Sequence, residues 1–424
     1  MSIKEDLLHY AWRTKRFHLR NLTTTEGESV EIIDFGKHNT HAGPDFFNAK
    51  VKIGTTLWAG NVEMHVLASD WMKHRHNEDR AYDNVILHVV LEEDNPVYSA
   101  DQSRIPCLEL RGRIPLKISN TYQKLQANES WIPCEHHFHT ANELTKRMWL
   151  DRMLVERLEQ KTNLVQLELS KNQNDWEETF YWFLAKHFGL KINVEPFENL
   201  AKSLPLKILN RYKDQLFQLE SLLFGQAALL DKDFEEDYPN RLKKEYDFLR
   251  HKHRLQPISA VAWKFMRLRP ANFPTIRIAQ FAALLHQRDH LFSSVLAAKQ
   301  LADIEALFQV ALDGYWNTHY VFDKISKKRK KSLGKATVRL LIINTIVPFL
   351  FLYGTTRDLK HQREKALLFL DQLPPESNSI ISAWKGLGIV PQSAYDTQAL
   401  LQLKNAHCNA SRCLDCSIGD QILQ

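Results

Sequence analysis

Hydrophobic spacing along the first 110 positions changes period several times. Ile3, Leu7, Leu8, Ala11 and Trp12 recur at helical spacing, which predicts a helix over residues 3–17. Val30–Phe35 is a short apolar run ending at Gly36, the pattern of a strand. Asp45–Ile53 and Leu57–Leu67 follow, joined by Gly54-Thr55-Thr56, and read as a hairpin. The polar stretch Ser69–Asp83 then crosses to Val85–Leu91, a nearly continuous apolar run of the kind found in strands buried on both faces. Ile105–Leu110 adds a last short strand. The predicted order is helix, three strands, a helical crossover and a strand. From about Thr140 the period becomes helical throughout: Trp149, Met153, Val155 and Leu158 share one face, and Trp176, Phe180, Phe183 and Leu184 another. The fold class expected is an α/β N-terminal domain followed by a mainly α-helical region, divided as residues 1–135, 136–405 and a Cys-rich tail at 406–424.

Composition narrows this without redirecting it. With 424 residues, 44% hydrophobic and 25% charged, the chain is long enough for several ordinary globular cores. Fourteen Gly and fifteen Pro leave no room for a Gly-rich nucleotide-binding fold or long flexible linkers. The longest apolar run, Leu340–Tyr353, is interrupted by Asn344, Thr345 and Pro348 and falls short of the roughly 20 residues of a membrane span, so it predicts a buried helix and no membrane association. The N-terminus Met-Ser-Ile-Lys-Glu-Asp lacks the apolar core of a secretory signal. Five Cys, three of them within Cys408–Cys416, do not resemble a secreted disulfide framework, and a cytoplasmic location is expected. A net charge of +6 suits a polyanionic partner. Nineteen His are unusual, and eight of them precede residue 89.

The informative segment runs from His38 to His88. In a hairpin Asp45 comes beside Glu63, and two converging carboxylates form a hard oxygen site suited to Mg²⁺ or Mn²⁺. Strand alternation puts Glu63 and His65 on the face opposite Val62, Met64 and Val66. His65 is positioned to ligate the metal or orient a water, which makes Asp45, Glu63 and His65 the candidate catalytic set. Asn61 on the same strand, His41 in the loop ahead of Pro44, Asp79 and Tyr82 in the crossover, and His88 within an apolar strand are candidate substrate contacts. The His74-x-His76 pair lies in the polar crossover and reads as surface; a zinc hydrolase site there is the third-ranked reading.

Gly43-Pro44-Asp45, then Glu63-Met64-His65 after 17 intervening residues, resembles the PD-(D/E)xK nuclease superfamily, whose common core has the same order of elements. The resemblance implies a restriction-endonuclease-like mixed sheet with flanking helices, metal ligation by Asp45 and Glu63, and phosphodiester hydrolysis on nucleic acid. The superfamily's lysine falls on His65, a departure for which Lys50 or Lys52 are the available substitutes; a non-catalytic nucleic-acid-binding or scaffold protein is the alternative. Taken whole, the chain is also similar to a bacterial family catalogued as a domain of unknown function (DUF2851), on Trp58–His65, Leu268–Pro274 and the Cys-rich tail. That likeness implies no activity.

In the tail, Cys408, Cys413 and Cys416 have the spacing of thiolate ligands for Zn²⁺ or an iron–sulfur cluster, with Cys134, Cys107 or His407 as the open choices for a fourth; Cys134 would clasp the tail to the domain junction. The cationic run Lys327–Lys331 reads as a solvated loop, and Arg267, Arg269 and Arg277 as stems packed over a helix junction. Oligomeric state is not legible.

Overall fold

Leu7, Leu8, Ala11 and Trp12 are fully buried along one side of the first helix, α1 (Glu5–Arg13), which the acidic Glu5 and Asp6 open and Arg13 closes, in accord with the helix dipole. The computed structural model describes residues 4–424. These fold as two units, one formed by the chain up to Asp151 together with Gln402–Gln424, the other by Arg152–Leu401.

The first unit is built on a mixed sheet of seven strands: β1 (Leu22–Thr23), β2 (Ser29–Asp34), β3 (Lys37–His38), β4 (Phe46–Ile53), β5 (Thr56–Leu67), β6 (Val85–Glu92) and β7 (Cys107–Glu109). Their order is β1-β2-β4-β5-β6-β7, with β3 paired to β4. β2, β4 and β5 run antiparallel, whereas β6 lies parallel to β5 and β7 parallel to β6. Gly54, at φ 58°, supplies the left-handed residue that closes the β4–β5 hairpin. A short helix, α2 (Asp70–Lys73), and two 3₁₀ turns (His76–Glu78 and Arg80–Tyr82) form the crossover where the sequence pattern predicts a helix.

One irregularity positions the site. Beyond Ala49↔Gly60 the β4–β5 register slips, so that Phe46 pairs with Val62. Asn48, at φ 58°, is the extra residue, and its N–H donates to Asn61 Oδ1 (3.3 Å). Without this bulge Asp45 would stand opposite Met64; with it, Asp45 stands opposite Glu63, on the same face.

The second unit is helical, with a core of aromatic rings packed edge to face. Phe349 lies among Phe180, Phe183 and Phe292 at centroid distances of 5.1, 5.5 and 5.8 Å. The apolar stretch noted above forms one helical run, Lys335–Thr356, widened by a π-turn at Ile342–Ile346. It is long and apolar enough to cross a membrane by length and composition, yet 67% of its most apolar window is buried inside the fold. Of the cationic run, Lys331 is buried and donates to the carbonyls of Trp316 and Asn317, while Lys327–Lys330 are mainly exposed.

Candidate functional site

Across the parallel β5–β6 pair Glu63 faces His88 and His65 faces Val90, so Glu63, His65 and His88 share one sheet face and Met64 and Val89 the other. All three polar side chains are buried. Polar groups in that position are costly unless partnered, and their partners come from three other segments.

The first is the loop ahead of β4. Asn39 organises it: Nδ2 lies 3.0–3.4 Å from the carbonyl oxygens of His41, Ala42, Gly43 and Pro44, and Oδ1 accepts from the His41 N–H (2.9 Å). The loop delivers Asp45, whose N–H donates to Glu63 Oε2 (3.1 Å), while the Met64 N–H donates to Asp45 Oδ2 (2.9 Å). Each carboxylate is thus fixed by backbone beside the other, leaving Glu63 Oε1 turned toward the crossover.

The crossover supplies two imidazoles. His74 closes α2, and Arg75 then adopts a left-handed conformation (φ 59°, ψ 34°) that turns the chain before His76. His65 Nε2 is 3.1 Å from His74 Nδ1 and 3.7 Å from Glu63 Oε1, which is 3.2 Å from His76 Nε2. One ligand atom from each of His65, His74 and His76 lies within 4.8 Å of the others. The His76 nitrogen is close to Glu63 without hydrogen-bond alignment, as if both were aimed at a common point. Spacings of 3.1–3.7 Å bracket the edge of about 3.4 Å expected of a tetrahedron around Zn²⁺ with bonds near 2.1 Å. Behind this shell His65 Nδ1 meets His88 Nε2 at 2.8 Å, Tyr82 stacks on His76 at 3.8 Å, and Trp71 packs edge-on against both His76 and His88.

Burial, followed by the neighbouring imidazoles, pulls the His65 pKa down to about 2, and burial followed by His76 pulls that of His88 down to about 3. Both rings are neutral, the form that offers a lone pair to a metal. Glu63 is raised, because burial outweighs the attraction of His76.

The third segment is α1. His9 Nε2 lies 3.1 Å from Asp45 Oδ2 and 3.9 Å from Glu5 Oε1. Burial draws the His9 pKa down, but the contact with Asp45 outweighs it and the net shift is upward. Glu5 is pushed up to about 7 by burial, against the pull of His9 and with the carboxylates of Asp45 and Glu63 adding to the rise.

The family described as protein of unknown function (DUF2851) matches residues 5–379. The chain belongs to it. No curated protein and no solved structure matches. The family match takes in every residue of the site just described, and ends before the tail cysteines.

Of the residues marked from sequence, this DUF2851 chain brings Asp45, Glu63 and His65 together. His88 stands behind His65, and Tyr82 against His76, so both pack on these imidazoles rather than face an open cleft. Asn61 shares the Glu63 face but spends its side chain on the Asn48 bulge. Asp79 caps the 3₁₀ turn Arg80–Tyr82 through Ala81 N–H (2.9 Å), and His41 is exposed on its loop. Lys50 and Lys52 are exposed opposite Ala59 and Leu57; the nearer is four residues along β5 from Glu63, roughly 13 Å of strand. His9 and Glu5 were not legible as site residues, although they lie one helical turn apart on α1. His74 is exposed, in keeping with its surface reading, and His76 is half-buried, yet they stand against His65 and Glu63; their His-x-His spacing was the available signal.

The tail cysteines also converge. Cys134 lies in electrostatic reach of Cys413 and Cys416, and Cys408 of all three. Cys107 is elsewhere, in β7 opposite His88 and packed with Trp71 and Val90. His407 has its ring against Trp149 at 5.5 Å.

Proposed function

We propose that this protein is a metal-dependent phosphodiester hydrolase acting on nucleic acid, with Glu63, His65, His74 and His76 holding a divalent ion beside Asp45. The observation that carries the proposal is the interlocking of Asp45 and Glu63 at the point where an antiparallel hairpin joins a parallel strand, with His65 and His76 beside Glu63 Oε1 and His74 beside His65. The helix, antiparallel strands, crossover and parallel strand around it support the nuclease-like reading. Three imidazoles and a carboxylate suit Zn²⁺ or a similar first-row ion better than Mg²⁺, which prefers oxygen ligands, and this donor set shifts the expected cofactor accordingly.

When bound, such an ion polarises a phosphoryl oxygen and lowers the pKa of a coordinated water. The chain's own groups do the rest. Asp45, fixed by the Met64 N–H, holds His9 at the edge of the centre, and His9 supplies the basic side chain that the superfamily pattern places at position 65. His88 fixes the His65 ring through Nδ1, so Nε2 faces the ligand position; Tyr82 does the same for His76 by stacking. The positive charge needed to retain a polyanion lies in residues 152–401, which contain 36 Lys and Arg against 27 Asp and Glu.

The test is cleavage of labelled single- and double-stranded DNA and RNA by the full chain supplied with Zn²⁺, Mn²⁺ or Mg²⁺, with Glu63→Gln and His76→Ala as variants. Metal-dependent cleavage lost in both variants, with salt-sensitive binding retained, is the expected result. Wild-type protein that binds metal and nucleic acid but cleaves nothing would instead support the non-catalytic reading.

A further inference from the structure

The four converging cysteines are on different ligands from the histidine centre and need their own account. All five cysteines are free thiols. Cys134, Cys413 and Cys416 are buried, and three separate turns deliver the four sulfurs. Cys134 opens the 3₁₀ turn Glu135–Thr140, which packs on the short helix Ser417–Leu423 opened by Cys416. Cys408 ends a π-turn, Leu403–Cys408, and such widened turns rotate the following side chain off the ordinary helical face. Cys413 begins the 3₁₀ turn between them, and its carbonyl would lie 2.1 Å from any Cβ at position 419, so that approach requires Gly419.

Burial disfavours thiolate at all four sulfurs, so anionic ligands there need hydrogen-bond donors and a cation beside them. The backbone N–H groups of Ile418 and Gly419 are directed at Cys416 Sγ. Four buried thiolates repel one another unless a cationic centre lies among them. Nor are the sulfurs drawn together as around one small ion. Among the described residues the only three ligand atoms within 4.8 Å of one another are those of His65, His74 and His76, whereas the S···S edge of a ZnS₄ tetrahedron is about 3.8 Å, from Zn–S bonds near 2.3 Å. A wider set of four cysteines suits a multinuclear centre.

We infer that Cys134, Cys408, Cys413 and Cys416 ligate an iron–sulfur cluster that clasps the C-terminal segment to the sheet unit. The clasp reaches α1. Asp420 accepts from Tyr10 Oη (2.8 Å) and pairs with Arg16 (3.3 Å), while Arg13 donates to the Leu414 carbonyl (3.0 Å). The segment that carries three of the sulfurs thereby holds the helix that carries His9 and Glu5. A cavity of about 340 Å³, lined in part by His9, Arg13, His38, Tyr122 and Arg412, lies where helix and tail meet.

The experiment is anaerobic purification of the full chain, with iron, acid-labile sulfide, zinc and visible absorbance measured before and after reconstitution with ferrous iron and sulfide. The expected result is several iron and sulfide per chain, with visible absorption lost in Cys134→Ser and retained in Cys107→Ser and in Glu63→Gln. Because Cys134→Ser is at risk of not folding, the wild-type chain is also alkylated with and without an iron chelator. The four cysteines should become reactive together on chelation. Zinc held by the four cysteines in place of iron, or a reconstituted chain without iron and sulfide, or four cysteines that alkylate alike with and without chelator, overturns the cluster. Glu63→Gln abolishes the histidine centre's proposed chemistry without touching these thiols, so either reading can fall while the other stands.

Discussion

The two units bury polar groups in opposite ways. In the sheet unit the exposed His74 and the more buried His65, Glu63 and His76 follow one another at separations of 3.1, 3.7 and 3.2 Å, and buried nitrogens such as His76 Nε2 and His88 Nδ1 have no hydrogen-bond partner. In the helical unit the buried charges close mainly on neutral partners, although Arg277 Nε has none. Arg277 donates to Asn272 Oδ1 (2.6 Å), Thr337 Oγ1 (2.9 Å) and Gln280 Oε1 (3.1 Å), and Glu220 accepts from Tyr238 and from Trp316 Nε1 (2.8 Å). A buried network that satisfies itself stiffens a core; one whose donors and acceptors point at a shared centre is built for something it must bind. The contrast separates function from stability, and it can be broken at named residues.

The largest effect is expected at Glu63. Glu63→Gln keeps the shape and removes the charge, so metal content at the histidine centre should fall below one-tenth and any hydrolysis by about 10²–10³-fold, the size of effect seen when a transition-state charge loses its stabiliser. Melting temperature should hold or rise, since a desolvated carboxylate is removed. Metal analysis and differential scanning calorimetry on the same preparation check both halves. A variant that loses stability and keeps its metal would show that the cluster is structural.

Phe349→Ala makes the reciprocal change. Phe349 is fully buried among aromatic rings, and its truncation should cost about 3–5 kcal/mol. Denaturant unfolding followed by hydrogen exchange should place the loss in residues 152–401 and leave the metal content of the sheet unit unchanged.

How much of this was legible in the sequence follows the same division. The strands could be read because Phe46–Ile53 and Val85–Leu91 carry their own apolar patterns and Gly54 marks the turn between β4 and β5. Asp45 and Glu63 could be paired because a hairpin brings neighbours together. The Asn48 bulge that puts them on one face has no sequence signature of its own, since an asparagine in a strand is also an ordinary turn residue. His9 is 36 residues from Asp45 in sequence, and only the packing of α1 brings it there. In sequence Cys134 is favoured over Cys107 because it would clasp the tail to the domain junction, and the path of the chain brings it into electrostatic reach of the tail cysteines.

A pH effect of intermediate size tests the self-contained character of the helical unit. Burial pushes the Glu220 pKa from 4.5 up to about 7, although its bonds from Tyr238 and Trp316 pull the other way. Between these values the folded unit keeps a proton that the unfolded chain has released, so stability falls as pH rises from 4.5 to 7, by at most roughly 3 kcal/mol. Glu220→Gln should flatten that slope. Burial lowers the Lys161 pKa to about 7, which gives the opposite slope above neutrality, where the unfolded chain stays charged and the fold does not. His187, drawn down to about 4 chiefly by burial, gives a rising slope up to pH 6.5 that offsets Glu220, so the quantity to read is the difference in urea midpoint between wild type and Glu220→Gln from pH 4.5 to 7: it should fall as pH rises, and a pH-independent difference would reject the assignment.

The smallest effect is the most specific. Arg75 holds a left-handed conformation between two proposed ligands, and a non-glycine residue there costs roughly 1 kcal/mol. Arg75→Gly removes that strain but also lets the unfolded segment sample more conformations, so the net stability change should stay within about 1 kcal/mol. Its effect on the metal has a definite sign. The left-handed turn sets the angle between His74 and His76, and a glycine allows that angle to vary before binding. Metal affinity should drop several-fold while the melting temperature of the metal-free chain hardly moves, as calorimetric titration with Zn²⁺ would register. Unchanged affinity would mean that the strain at Arg75 serves the chain turn alone, and that Tyr82, stacked on His76, sets the position of that ring.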